Sequence, residues 1–174
     1  MRLRPGAETV LAYPTESCYG LGCDPLAARA VRRILRLKQR PEHKGVILIA
    51  ADVRQLVPFV QPQALREAGM SGIWPAGVTL LLPASRRCPS WIRGRHGSVA
   101  VRVTAHGAAR RACLLCGHAL VSTSANRAGQ RPARTAREIE RRFGAQVRRL
   151  PGRIGKARRP SRIVDWRSGR VLRE

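Results

Sequence analysis

The chain has 174 residues, 34 of them Lys or Arg against 10 Asp or Glu, so it carries a formal charge of +24. That length holds one domain with a real core, burying roughly two thirds of the unfolded surface. With aromatic residues at 4%, Val, Leu, Ile and Ala must fill the core, and stacking of bases on aromatic platforms is not the expected mode of binding.

Residues 10–13 (Val-Leu-Ala-Tyr) read as a strand ended by Pro14, with Gly20 and Gly22 marking the turn that follows. Residues 27–38 place Ala27, Val31, Ile34 and Leu35 at helical spacing with arginines between, so a helix is predicted there, with Lys38-Gln39-Arg40 as its last turn before Pro41. The continuous apolar run 46–49 predicts a strand covered on both faces, and Asp52 can cap the next helix. Trp74-Pro75-Ala76-Gly77 reads as a turn feeding a buried strand at 78–82, ended by Pro83. Strict alternation at 98–103 puts the valines on one face of a strand, Ser98 and Arg102 on the other. Residues 106–116 are helix-like, and a strand at 119–121 opens into Ser122-Thr123-Ser124-Ala125-Asn126. Thr135 and Glu138 form a capping-box sequence for a helix that stops at Gly144, and 161–166 and 170–173 flank Arg167-Ser168-Gly169 as a hairpin.

This alternation predicts an α/β fold, a single-domain twisted mixed sheet with flanking helices over residues 1–174. Segment 148–162 breaks the composition: Arg148, Arg149, Arg153, Lys156, Arg158, Arg159 and Arg162 with no acid and with Pro and Gly between, expected as a mobile basic loop. The N-terminal Met1-Arg2-Leu3-Arg4-Pro5 lacks the apolar core of a signal peptide, and the longest apolar run, 46–51, is too short to cross a bilayer. Five cysteines, an odd number, fit a reducing compartment, so a cytoplasmic protein with no membrane partner is expected.

In open α/β sheets, ligands gather beyond the carboxyl ends of the strands. Pro14-Thr15-Glu16-Ser17 lies at such an end and offers hydroxyls and turn amides to a small polar ligand, although a capped turn would use the same residues. Lys38, Arg40 and Lys44 crowd positive charge where the chain leaves a helix; compensation of the helix dipole needs only one or two of them, and polyphosphate recognition suits the rest. The Ser122 to Asn126 turn bears small hydroxyls beside an amide, suited to phosphate oxygens or to a bound amino acid.

The order PTExxYGLGCDP, LKQRPxxKGxILIA, WPxxVTLLLPA, SVAVRVTxH, LVSTSAN resembles the YrdC/TsaC family, the bacterial threonylcarbamoyl-AMP synthases, from about Val10 to Arg173. The resemblance implies a short YrdC-like fold and an enzyme, a nucleotidyltransferase that condenses L-threonine, bicarbonate and ATP into L-threonylcarbamoyladenylate with release of pyrophosphate. Its product would feed threonylcarbamoyl modification of a tRNA adenosine next to the anticodon, through downstream tRNA threonylcarbamoyltransferase proteins. The resemblance assigns Lys38, Arg40, Lys44, Ser98, Asn126, Arg134 and Arg173 to ATP, and Ser17, Arg102, Ser124 and Ser161 to threonine, with Lys38, Arg40, Ser124 and Asn126 at the chemistry. Mg2+ would ride on the ATP phosphates, and no metal held by protein ligands is expected.

The sequence departs from that pattern in three places. Little chain precedes Val10, where the family has a full helix; Ala76-Gly77 stands for the usual Gly-Pro; and 148–162 is more basic than the pattern, which suggests contact with tRNA or cover for the nucleotide. Cys113-x-x-Cys116 with His118 looks like half a zinc site, but an apolar helix and the distance of Cys88 favour packing thiols there and at Cys18 and Cys23. His43 and His106 have no readable partner and receive no role. From a different class, a non-catalytic basic RNA-binding module would use the same charge; a genome-wide arginine bias would also produce it, since only Lys38, Lys44 and Lys156 are lysines.

Overall fold

The computed structural model describes residue 6 and residues 8–173, and the segment Met1-Arg2-Leu3-Arg4-Pro5 lies outside it. In chain order the elements are β1 (Leu11–Pro14), β2 (Tyr19–Gly22), α1 (Ala28–Lys38), β3 (Ile47–Ala50), α2 (Pro62–Met70), β4 (Val78–Pro83), α3 (Ser90–Arg93), β5 (Ser98–Val103), α4 (Gly107–Cys116), β6 (Leu120–Ser124), α5 (Ala136–Phe143), β7 (Arg148–Arg149), β8 (Arg162–Asp165) and β9 (Val171–Arg173). The strands form one twisted mixed sheet in the order β7-β1-β2-β6-β3-β5-β4-β8-β9, with parallel pairs at β3/β5, β4/β8 and β1/β7 and antiparallel pairs elsewhere.

Both faces are covered. On one, α1, α2 and α5 bury Val31, Ile34, Leu65, Ala68, Ile139 and Phe143 against Leu21, Leu48, Leu80 and Val101. On the other, α4 packs Ala109, Ala112 and Cys113 on Leu11, Tyr13, Ile49 and Leu120. The arginines of α1 occupy the turns between its buried positions, so one helix serves the core and a basic surface together. Thr135 and Glu138 close the capping box of α5 as its sequence predicts.

Several expectations need correction. Gly20 and Gly22 lie inside β2, not in a turn. The reason is space: the ring of Tyr13 crosses over Gly22 so that its hydroxyl donates to the Val121 carbonyl at 3.2 Å, and a Cβ at Gly22 would stand 2.6 Å from Cε1 of that ring and would run into the Val121 oxygen. Asp52 caps a short 3-10 turn, Val53–Leu56, through the Arg54 N–H at 2.9 Å, and α2 begins only at Pro62. Helix α1 ends at Lys38, and Gln39 beyond it takes a left-handed conformation, φ 53°. Segment 148–162 is not a free loop: Leu150 N–H donates to Ala12 O (2.8 Å), Gly155 N–H to Thr15 O (2.9 Å) and Ala157 N–H to Glu16 O (3.1 Å), which lashes it across the β1–β2 end of the sheet.

We expect Gly22→Ala to cost about 1–3 kcal/mol of stability, since backbone and a buried ring must yield to one methyl group. Gly97→Ala, where a Cβ meets nothing within 4 Å, should fall within about 0.5 kcal/mol of the parent in the same urea titration.

Candidate active site

The left-handed residue at Gln39 is what aims the basic cluster. Gln39 N–H returns to Arg36 O at 3.1 Å and Arg40 N–H to Leu35 O at 3.0 Å, closing the helix end and sending Lys38 and Arg40 into the molecule on either side of the turn. Arg40 is then pinned by Nε and Nη2 donating to the Gly45 carbonyl at 3.3 and 3.1 Å. Lys38, 7% exposed, crosses to the end of β6, where Nζ donates to Asn126 O at 3.0 Å and Asn126 Oδ1 at 3.2 Å and also meets the Ser124 carbonyl. Ser124 Oγ donates to the same Oδ1 at 2.6 Å, while Asn126 Nδ2 donates to Arg127 O and Gln130 O, each at 2.9 Å. The Ser-x-Asn turn and the helix end are thus one hydrogen-bonded unit.

This unit forms one wall of a cavity of about 350 Å3. Thr15 and Ser17 from the β1–β2 turn, Arg102 from β5, and Ser161 and Arg173 from the terminal hairpin complete it. Thr15 Oγ1 donates to Cys18 O at 2.8 Å and so does the capping within the turn. Ser17 Oγ has only the Cys18 sulfur, at 3.7 Å, and faces the cavity largely uncommitted. Arg173, the last residue of β9, donates Nε and Nη2 to the Ser161 carbonyl at 3.1 and 2.7 Å, and the Ser161 hydroxyl is held by buried Thr79 Oγ1 at 2.8 Å. Arg102 lies with Nη1 3.1 Å from Glu16 Oε2.

Of the residues singled out from the sequence, Ser17, Lys38, Arg40, Lys44, Arg102, Ser124, Asn126, Ser161 and Arg173 all line this cavity. Ser98 does not; it lines an adjoining space of about 290 Å3 that shares Arg40, Lys44 and Arg173 with the first. Arg134 lines neither: it is exposed ahead of α5, and its N–H serves the capping Glu138 at 2.8 Å. Sequence reasoning passed over Glu16 and Thr79, which hold Arg102 and Ser161 from behind. An acid beside a basic cavity was the available signal for Glu16; Thr79 gave none, since a hydroxyl in an apolar strand has many uses. Of the tempting residues, His106 caps α4, accepting from Ala109 N–H at 3.4 Å. Cys113 is buried with its thiol on Ile49 O, and burial pushes its pKa up to about 12. Among the described residues, no group of three His, Cys, Asp or Glu is placed to hold a metal ion.

The electrostatics are one-sided, because no acidic side chain among the described residues lines the cavity. Burial, then the neighbouring Arg40, push the Lys38 ammonium down to about 8, against the oxygens that favour its charged form. Burial also lowers Arg40 and Arg173, the latter further depressed by Arg102 and Arg40. An oligophosphate entering here relieves a repulsion that the fold has to hold in place.

A mixed sheet whose strand ends close an electropositive, hydroxyl-lined cavity defines an α/β protein built to hold small anions. The family model Sua5_yciO_yrdC, described as telomere recombination, matches residues 6–174, and the chain belongs to this family. A threonylcarbamoyl-AMP synthase of Chromobacterium violaceum is 58% identical over 173 residues, 99% of this chain and 89% of that protein. One from Thiobacillus denitrificans is 54% identical over 167 residues, 94% of this chain and 88% of that one. Among solved structures, P. abyssi Sua5 complexed with L-threonine is similar at TM-score 0.82 and 30% identity, over 92% of this chain and 48% of that one, so this chain spans about half its length. E. coli YciO is similar at TM-score 0.78 and 26% identity, over 96% of this chain and 83% of that one.

Because Lys38 holds its charge below about 8 and loses it above, affinity for inorganic tripolyphosphate should fall as pH rises through that value. Calorimetric titration between neutral pH and about 9 checks this; in Lys38→Arg, whose guanidinium stays charged, the inflection should vanish.

Proposed function

We infer that this chain condenses L-threonine, bicarbonate and ATP into L-threonylcarbamoyladenylate, releasing pyrophosphate, and so supplies the threonylcarbamoyl modification of tRNA. One observation carries the reading. A single cavity is lined by Ser17 and Arg102 together with Lys38, Arg40, Lys44 and Arg173, in a chain whose near-full-length relatives bear that activity in their names.

The chemistry has two steps. The threonine amine forms an N–C bond to the carbon of bicarbonate, and one oxygen leaves as water, giving an N-carboxylate. A carboxylate oxygen then bonds to the α-phosphorus of ATP while the bond to the bridging oxygen breaks, and pyrophosphate departs with that electron pair. Both steps bring anions together, so the demand is for positioning and for fixed positive charge, not for a nucleophile on the protein. Arg102 receives the threonine carboxylate, with Ser17, Ser124 and Ser161 around the amino acid. Lys38, Arg40, Lys44, Asn126 and Arg173 hold the phosphates, and Ser98 lies beyond them towards the nucleoside. Arg134 is given no role. Mg2+ enters as part of the ATP substrate.

The setting follows from the same reading. Under it the enzyme works in the cytoplasm, where the adenylate passes to a tRNA threonylcarbamoyltransferase; no helix among the described residues is long and apolar enough to cross a membrane. Direct contact with tRNA is favoured by one further observation: every basic side chain in 148–162 is exposed while the backbone there is tied down.

Incubation with ATP, bicarbonate and L-threonine should release pyrophosphate and form the adenylate, and Lys38→Ala or Arg40→Ala should lower the rate on the order of a hundredfold. Arg102→Ala should raise the KM for threonine far more than that for ATP; equal loss for both would show the two sides wrongly assigned. A protein that yields no pyrophosphate above these controls is not this enzyme, and the RNA-binding reading would then stand alone.

For that surface, the measurement is the salt dependence of tRNA binding. Replacing Arg153, Arg158 and Arg159 by Gln should weaken binding and reduce the slope of log K against log salt by about 0.7–0.9 for each phosphate that the variant no longer neutralises. An unchanged slope would mean the charge is compositional.

A further inference from the structure

The strongest feature outside the roles given above is a carboxylate, the one among the described residues that touches a cation of the cavity. Arg102, 8% exposed at its side chain, is met by Glu16, whose own side chain is 20% exposed, with Nη1 and Oε2 3.1 Å apart. Arg102 lines the cavity and Glu16 does not, so the carboxylate stands behind the guanidinium as seen from the cavity. Glu16 is itself fixed. Its Oε1 accepts from Thr104 Oγ1 at 2.7 Å, and Thr104 is fully buried at the end of β5 with its N–H on Ala50 O. Its backbone is clamped by the strap: Ala157 N–H donates to Glu16 O, and Gly155 packs so closely that a Cβ there would be 2.6 Å from that oxygen. Arg102 Nε and Glu16 Oε2 are both buried without a hydrogen-bond partner among the described residues, so the pair is held by charge at 3.1 Å and not by an aligned hydrogen bond. A guanidinium presents two forks, one from the paired terminal nitrogens and one from Nε with the nitrogen beside it. Because Nε is buried, the cavity can reach Arg102 only through its terminal nitrogens, beside which Glu16 Oε2 sets its charge.

We propose that Glu16 is a positioning residue. It fixes the rotation of the Arg102 guanidinium so that its terminal nitrogens, held from one side by the Glu16 charge, present a preformed seat for the carboxylate of the amino-acid substrate. This rests on the reading of Arg102 as the threonine-carboxylate residue. It also explains why the strap and the motif around Glu16 are packed so tightly: a fork displaced by a fraction of an ångström loses one of its two bonds.

The test is a double-mutant cycle of Glu16→Gln and Arg102→Ala, read by steady-state kinetics and by calorimetric binding of L-threonine, with thermal melts as the check on folding. Glu16→Gln should weaken L-threonine binding and raise its KM on the order of tenfold or more while the KM for ATP changes less than about twofold. In the Arg102→Ala background the same substitution should have almost no further effect, because Glu16 acts through Arg102. Glu16→Asp, which keeps the charge but withdraws it by one methylene, should fall between, and it carries the test should Glu16→Gln not fold. Additive effects in the cycle, or equal losses for threonine and ATP, would reduce Glu16 to a structural residue and overturn the proposal. Tighter threonine binding in Glu16→Gln would overturn it as well, showing that the carboxylate competes with the substrate. A wild-type protein that binds threonine yet makes no adenylate would sink the enzymatic reading and leave the binding arm of this test intact; one that binds no threonine would sink both.

Discussion

A buried ammonium holds the site together. Lys38 sits at the C-terminus of a helix and reaches oxygens of Ser124 and Asn126, far away in sequence, and no carboxylate is among its partners. Burying a cation without a counter-ion is expensive, and the protein meets the cost with neutral oxygens instead. The choice has a consequence: a salt bridge would stabilise the same crossing but cancel the charge, whereas carbonyl and amide oxygens hold the ammonium in place and leave its field for a ligand. Arg40 on the Gly45 carbonyl and Arg173 on the Ser161 carbonyl repeat the device. Of these four cations, Arg102 is the one met by a carboxylate. The cavity therefore holds three of these cations without a counter-ion among the described residues and one, Arg102, whose charge is partly offset.

The same argument separates the cavity's charge from the rest of the +24. Exposed arginines act through water and salt, with a screening length of about 8 Å at physiological ionic strength, and their pairs contribute little to stability. Pairs such as Arg29 with Glu8 or Arg149 with Glu140, at 3.8 and 3.7 Å on open surface, belong to that class. The buried cations are screened far less, so ligand binding in the cavity and polyanion binding on the surface should respond differently to salt. One net charge thus supports two independent properties.

How much of this the sequence disclosed follows from which interactions are local. Helix α1, the capping box of α5, the alternation of β5 and the terminal hairpin are written in side-chain spacing over a few residues, and their positions were readable to within a residue or two. The Lys-x-Arg and Ser-x-Asn clusters were readable as basic and polar turns, but their union by Lys38 depends on a strand pairing that no local pattern encodes. Gly20 and Gly22 misled for a related reason: glycine in a strand means that something lies across it, and at Gly22 the something is Tyr13 from the neighbouring strand. The strap at 148–162 carries the composition of a loop, and only its partners on β1 and the following turn give it a fixed course. Gln39 hides the most, since nothing in a glutamine announces a left-handed conformation that directs two cations.

That left-handed residue also shows how the site tolerates its own repulsion. Burial disfavours the charges of Lys38, Arg40 and Arg173, and neighbouring cations press further on Lys38 and Arg173, so side chains with free rotation would turn outward to water. Each is prevented from doing so by an anchor set within backbone: the closed end of α1, the Gly45 turn, the β8–β9 hairpin, and for Arg102 the carboxylate lashed down by the strap. Electrostatic pre-organisation of this kind has to be supported by folding energy, and the fully buried Tyr13, Leu11, Leu48, Leu80 and Leu120 on both faces of the sheet are where that energy comes from. A core substitution beneath the sheet would therefore be felt first in the cavity, where cations relax outward before the fold itself gives way.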